Sequence, residues 1–384
     1  MLLLKNGNVH TMAGEVIEGG DVLINEGRVQ EVGRNLSGSG AEVLDVTGKF
    51  VMPGIIDAHS HLGMWEDAMG FEGDDGNEET DPVTPGLRAI DGINPMDRCF
   101  EDAYRGGVTA AVTGPGSANV IGGLFTAVKT YGKRVDDMII KDPVALKVAF
   151  GENPKTVYGG EQKKTPRTRM AIAGILREEL TKAKEYMEGR AKPKEEDRPD
   201  FDMGMEAIAK VLRREIPLKA HAHRADDIFT AIRIAKEFDV RLTLDHCTEG
   251  HLIVDYLKQE GYPCIVGPSL TDRSKIELKN LSFKTPGILS KAGLTVAIMT
   301  DHPVIPLQYI TLCASLAVRE GMDEAEALRA ITINPAKIAG IDGRVGSIEA
   351  GKDADVAIFD GNPLDIRNRC YATVINGAVI YKRD

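Results

Sequence analysis

Between residue 97 and the helices that begin near Leu307, short apolar runs alternate with segments of helical spacing, and this rhythm constrains the fold more than any other feature. VTAAVT, PVALKVAFGEN, PLKAHAHR and RLTLDHCTEG read as strands. MDRCFEDAYRGG, residues 168–190 and 201–214, DDIFTAIRIAKEF and HLIVDYLKQEG read as helices, and PCIVGPSL, PGILSKAG and LTVAIMTDHP continue the pattern. Strands separated by helices of this length pair in parallel through right-handed crossovers. With the apolar run FVMPGIIDAHSHLG as the first, about eight strands lie between residues 50 and 305. The economical closure is an α/β fold, a (β/α)8 TIM-like barrel.

Both ends of the chain have a different texture. LLLKNGNVHTM, DVLINEGRVQEVG and AEVLDVTGKFV, then GSIEAGKDADVAIFDG and ATVINGAVIYK, are short β segments set between Gly and Asn turns. Residues 1–50 and 346–384 are expected to combine in a small composite β-sandwich domain beside a barrel of residues 51–345. His10, remote from any partner signal, is expected to pack or face solvent. Residues 64–97 keep neither period and are rich in Gly, Pro and acidic side chains, so they read as a long loop, expected as a solvated lid with Trp65 at its base. GPGSANVIGG reads as a glycine-rich turn tight against a ligand or neighbour, without either nucleotide-binding pattern.

A formal net charge of −11 opposes an extended nucleic-acid surface, which needs clustered Lys and Arg. The opening MLLLKN is too short for a signal peptide or a membrane span, and a cytoplasmic chain is expected. The five scattered cysteines, with no CxxC pair, are expected to be reduced and structural. The expected partner is a small-molecule substrate, with no nucleic acid and no membrane; a homo-oligomer stays open.

The chemistry gathers at strand ends. Six of the eight histidines, His59, His61, His221, His223, His246 and His302, fall at or just beyond expected strand ends, where barrel enzymes collect catalytic groups from strands remote in sequence. Alternation puts Asp57, His59 and His61 on one side of the first strand, and His221 with His223 on one side of the fifth, without choosing between the last two. His246 ends strand six and Asp301 strand eight. Neutral imidazoles with a carboxylate suit a divalent transition metal that keeps a position open for water. Such an ion brings the pKa of its water near neutrality, and Asp301 suits both metal binding and acceptance of the water's proton.

The order PGIIDAHSH, KAHAHR, LDHCTEG, TDHP and AITINPAKIAGIDGRVGSIEAGKDADVAIFD resembles the amidohydrolase superfamily, especially its imidazolonepropionase-like and prolidase-like branches, over nearly the whole chain. The resemblance implies a metal-dependent hydrolase barrel with a composite β-sandwich. It implies that His59 and His61 bind the more buried ion, that His221 and His246 bind a second, and that Asp301 binds metal and is the catalytic proton shuttle. His223 is left as a substrate or supporting group. One or two divalent ions are implied, zinc first, with iron, manganese or nickel as alternatives.

In binuclear relatives a carboxylated lysine or a glutamate bridges the ions. Lys147 and Glu152 both lie in ALKVAFGEN; Glu152, at the strand end after Gly151, is the expected metal ligand, with a carboxylated Lys147 as the alternative. Tyr158, Arg169 and Arg224, with Lys155 and Arg167, are expected to hold a substrate carboxylate, and His302 to hydrogen-bond substrate or leaving group. The expected reaction is hydrolysis of a C–N bond in a cyclic amide, amidine or related small polar compound. Its rivals are N-acyl amino acid or dipeptide hydrolysis, deamination, and an inactive scaffold of the same fold.

Overall fold

The computed structural model describes residues 1–67 and 69–384, so residue 68 of the long loop lies outside the description. The chain opens with β1 (Leu2–Val9), β2 (Ile17–Asn25), β3 (Arg28–Gly33), β4 (Glu42–Asp45) and β5 (Phe50–Pro53). The barrel strands follow: β6 (Ile55–Ser60), β7 (Val108–Thr113), β8 (Ile121–Lys129), β9 (Ile139–Ala149), β10 (Leu218–Ala222), β11 (Leu242–His246), β12 (Cys264–Val266) and β13 (Val296–Ile298). The last three are β14 (Val356–Phe359), β15 (Cys370–Ile375) and β16 (Ala378–Lys382).

Strands from both termini share one sheet, ordered β16-β15-β14-β5-β1-β2-β3 with β4 added on β1. The two termini meet where β14 runs antiparallel to β5, pairing Phe359 with Phe50 and Val356 with Pro53. Leu4, Val22, Ile24, Val51, Val356 and Ile358 form that sheet's own buried core. His10 stacks on Phe50 with ring centroids 3.7 Å apart, the packing role expected of it. All five cysteines are free and buried.

The second sheet runs β13-β12-β11-β10-β9-β8-β7-β6 and curls into a nearly closed barrel. Strands β6, β7, β10 and β11 are buried along their whole length, as strands covered on both faces must be, which is why they read as continuous apolar runs. The third strand departs from the sequence expectation. The glycine-rich stretch leads into β8, which pairs antiparallel with both β7 and β9. The connection from β7 spans only residues 114–120, too few for the helical crossover that a parallel return requires.

The ends of the path are joined by hydrogen bonds around Asp57. Its Oδ2 accepts from the Thr300 N–H (2.8 Å) and hydroxyl (2.6 Å), its Oδ1 from the His59 N–H (2.9 Å), and the His61 N–H donates to the His302 carbonyl (2.9 Å). Helices Arg169–Arg190 and Met203–Leu212 begin at Thr168 and Asp202, whose side chains accept from backbone N–H groups in the first turn. Leu176, Leu180 and Ile208 from these helices pack on Leu146, Ala220 and Leu244 of the barrel.

The 64–97 loop keeps most of its acidic side chains in solvent, as expected, but its backbone is tied to the barrel. Val83 bridges to Ile121 and Arg88 to Leu124 along β8. Asn119 Nδ2 donates to the carbonyls of Glu78 (2.6 Å) and Asp81 (2.7 Å), pinning the acidic segment to the barrel wall. Among the described residues no helix is long and apolar enough to cross a membrane.

Candidate metal centre

His59, His61, His221, His223, His246 and Asp301 meet at the C-terminal mouth of the barrel. Alternation accounts for the two His-x-His pairs but not for His246. Register pairs His221 with Asp245 and Ala222 with His246, so a regular strand sends Asp245 into the barrel and His246 to the outer face. A left-handed backbone at His246 (φ 71°) and Cys247 (φ 50°) accompanies the return of this imidazole to the mouth, and Asp301 has φ 55°. Such conformations cost of order 1–3 kcal/mol each and concentrate at functional sites.

Each imidazole has its Nδ1 engaged. His61 Nδ1 donates to the Gly114 carbonyl (2.7 Å) and His246 Nδ1 to the Gly267 carbonyl (2.9 Å); carbonyls only accept, so both Nε2 atoms keep a lone pair. His59 Nδ1 is held by the Asp245 carboxylate. His221 Nδ1 meets the Ser117 hydroxyl and His223 Nδ1 the Thr248 hydroxyl, both at 2.8 Å. The Nε2 atoms therefore face one another. Asp301 Oδ1 lies 3.4 Å from His59 Nε2 and 3.2 Å from His61 Nε2. The ligand atoms of His59, His246 and Asp301 lie within 4.8 Å of one another, as do those of His221, His223 and His246.

Among the described residues, His221 Nε2, His246 Nε2 and Asp301 Oδ1 are buried without a hydrogen-bond partner. Orphaned buried polar atoms are rare because each forfeits its hydration. Nitrogen and carboxylate donors converging on one point, each oriented by a hydrogen bond behind it, fit a divalent metal.

Two lysines lie deeper. Lys147 Nζ is 3.3 Å from His59 Nε2. Lys219, its register partner on β10, donates to Asp245 Oδ2 (2.6 Å) and the Ala58 carbonyl (2.9 Å). Both ammonium groups lie over the Phe125 ring, at 5.5 and 5.3 Å.

Burial sets the charge states. It drives His59, His221 and His246 well below the usual imidazole range, with Lys147 adding to each. His223 is lowered to about 3 by burial and then by His221. Neutral imidazoles are the form that binds metal. Burial also lowers Lys147, to about 8. For Asp301 burial acts upward, but the nearby His61 ring and the Lys147 charge prevail, holding it below the usual carboxylate value.

A cavity of about 620 Å³ opens over the cluster, lined by His61, Trp65, Ser117, Glu152, Lys275 and Asp301 among others. Trp65 sets its ring edge-on to His61, centroids 4.8 Å apart, so the start of the long loop forms one wall. Glu152 lines this cavity, whereas Lys147 is the group among the imidazoles.

The expected carboxylate clamp does not assemble. Tyr158 is buried and donates to the Asp81 carbonyl (2.9 Å), so it anchors the long loop. Arg169 is spent on Asp227 (2.9 Å) and Arg224 on Asp226 (2.9 Å), and neither lines the cavity. His302 is buried beside the seam, accepts the Leu307 N–H (3.3 Å), and does not line the cavity either.

Sequence reasoning missed Glu277, Ser117, Lys275, Asp245 and Lys219. The first three lie in irregular segments that carry no period. Lys219 had a signal: in KAHAH it shares the face of His221 and His223.

Known proteins bear on this geometry. Residues 50–381 match the model of the Amidohydrolase family. The chain is 30% identical to the amidohydrolase tasK of Hapsidospora irregularis over 90% of its length, and spans 38% of that protein. It is 26% identical to a dihydroorotase of Lactobacillus leichmannii, covering 94% of this chain and 88% of the relative. A solved amidohydrolase from Thermotoga maritima MSB8 superposes with a TM-score of 0.96 at 46% identity over the whole of both chains. With the family's pattern running through the barrel and into the terminal sheet, the chain belongs to the Amidohydrolase family of hydrolases.

Proposed function

We propose that this protein is a metal-dependent hydrolase of a C–N bond in a cyclic amide, amidine or related small polar compound. The observation that carries the reading is the convergence of buried, unpartnered donors from His221, His246 and Asp301 at the barrel mouth. His59, His61 and Asp301 would hold one divalent ion, and His221 with His246 a second. Lys147 replaces Glu152 as the proposed bridge: it lies inside the cluster, and with its pKa near 8 a useful fraction is the neutral amine that can take up carbon dioxide as a carbamate.

A divalent ion in this site supplies Lewis acidity and lowers the pKa of water. Asp301, whose pKa its surroundings hold below the usual carboxylate value, accepts the proton of the attacking water and returns it to the leaving nitrogen. Trp65 and the start of the long loop limit access of bulk solvent on the His61 side. Asp245 and Lys219 fix the His59 ring from below.

The dihydroorotase and tasK relatives support a small amide-type substrate. The test is to strip the protein, reload it separately with zinc and manganese in bicarbonate, and assay cyclic amides, N-acyl amino acids, dipeptides and amino-heterocycles. Ring opening without ammonia is the expected result. Ammonia release alone, or turnover confined to dipeptides, would overturn the cyclic-amide assignment, and turnover unaffected by chelation would overturn the metal.

A further inference from the structure

On the His221 side of the mouth lies a carboxylate that the proposed reaction leaves without a task. Glu277 sits in the short turn Ile276–Leu278, after β12, and is fully buried. Its Oε2 accepts the Glu152 N–H (3.0 Å). Its Oε1 has no hydrogen-bond partner among the described residues and faces His223 Nε2 at 3.7 Å and His221 Nε2 at 3.9 Å. Among the described residues these two histidines are its only ion-pair neighbours.

The backbone makes room for this group. Gly151 has φ 87°, and a Cβ there would meet Glu277 Oε2 at 2.8 Å and Asp227 Oδ2 at 2.9 Å. A carboxylate buried against neutral imidazoles is costly unless a cation joins them. His223 is equally unexplained as a substrate group, because its Nε2 belongs to the three-imidazole cluster with His221 and His246.

Resting on the metal-dependent reading above, we propose that Glu277 and His223 join His221 and His246 as protein ligands of a divalent transition metal on this side of the mouth. Three imidazole nitrogens and one carboxylate oxygen are a donor set for zinc or a similar ion. Ser117, Thr248 and the Gly267 carbonyl each hold one Nδ1, and the Glu152 N–H holds the carboxylate, so all four ligands are oriented from behind. Four protein donors retain an ion more firmly than His221 and His246 alone.

The test is titration of the metal-free full-length protein with Zn²⁺ against a chromophoric chelator, comparing wild type with Glu277→Gln and His223→Asn. Each variant should weaken one binding step by at least roughly tenfold, and leave any step due to His59, His61 and Asp301 in place. Wild-type binding matched by both variants overturns the proposal while leaving the metal-dependent reading intact; a wild type that binds no ion overturns both. Anomalous diffraction from zinc-soaked wild-type crystals needs no variant and covers the case in which a substitution fails to fold. A peak about 2.0–2.2 Å from both Glu277 Oε1 and His223 Nε2 supports the proposal, and zinc bound only beyond reach of both overturns it.

Discussion

Two clusters of buried charged side chains differ in how they are satisfied. Where the terminal sheet meets the barrel, Lys129 bonds Asp355 (2.5 Å) and Asp353 (3.0 Å), and Arg344 reaches Asp353 (2.7 Å). Burial alone would raise Asp353, but Lys129 and Arg344 hold its pKa below the ordinary carboxylate value. Asp355 Oδ1 also accepts the Asn376 N–H (2.9 Å). At the mouth, His221, His246, Glu277 and Asp301 each keep an unpartnered buried atom. Both clusters pay desolvation, but only the first recovers it within the chain. A paired cluster serves the fold, whereas an unpaired one is completed by something the chain does not encode.

The largest effect that would break this contrast is expected at the mouth. Asp301→Asn should lower kcat by about 10²–10⁴, the usual worth of a positioned general base. The unfolding free energy of the metal-free protein should fall only slightly, because the lowered pKa of Asp301 means that the fold modestly favours its ionised form. Steady-state kinetics and denaturant unfolding of the same preparation measure both. A stability loss of about 3 kcal/mol with turnover intact would place Asp301 with the structural cluster instead.

The opposite pattern is expected at the sheet junction. Lys129→Met leaves the buried Asp355 without a cation and Asp353 with arginine alone, and should destabilise the protein by about 3–5 kcal/mol, with kcat per folded molecule unchanged. Denaturant midpoints and active-fraction kinetics are the measurements. Lost turnover at undiminished stability would show that this cluster reaches the chemistry.

The same contrast explains what was legible in the sequence. Strand and helix alternation, a local property, exposed the barrel, and the two terminal textures exposed the shared sheet. The His-x-His pairs were legible because alternation fixes which face they share. The antiparallel β8 was hidden because its glycine-rich approach looks like a turn, and only the shortness of residues 114–120 betrays it. Arg169, Arg224 and Tyr158 were misjudged because sequence shows a side chain's chemistry but not its partner: Asp227, Asp226 and the Asp81 carbonyl had already taken them. Glu277 was invisible because it lies in an irregular segment and is brought to the imidazoles only by the closed barrel.

Lys147 sharpens the contrast most finely, since it is a buried cation whose nearest partner is a neutral imidazole. Burial lowers its pKa from 10.5 to about 8, and Lys219 adds to the effect against the raising influence of Asp245 and Asp301. Between those two values the unfolded chain binds more protons at this position than the folded one, so stability rises with pH across the window. Below about pH 8 the folded protein bears the full cost of a buried ammonium; by pH 10.5 that cost is gone, a change of about 3 kcal/mol. Urea unfolding of the metal-free, bicarbonate-free protein from pH 7.5 to 10 should show this rise, and Lys147→Met should flatten it. A slope that survives in the variant would mean that the Lys147 ammonium is balanced by a partner within the fold and stays protonated, which would move it from the unpaired cluster to the paired one and remove the free amine that the proposed carbamate requires.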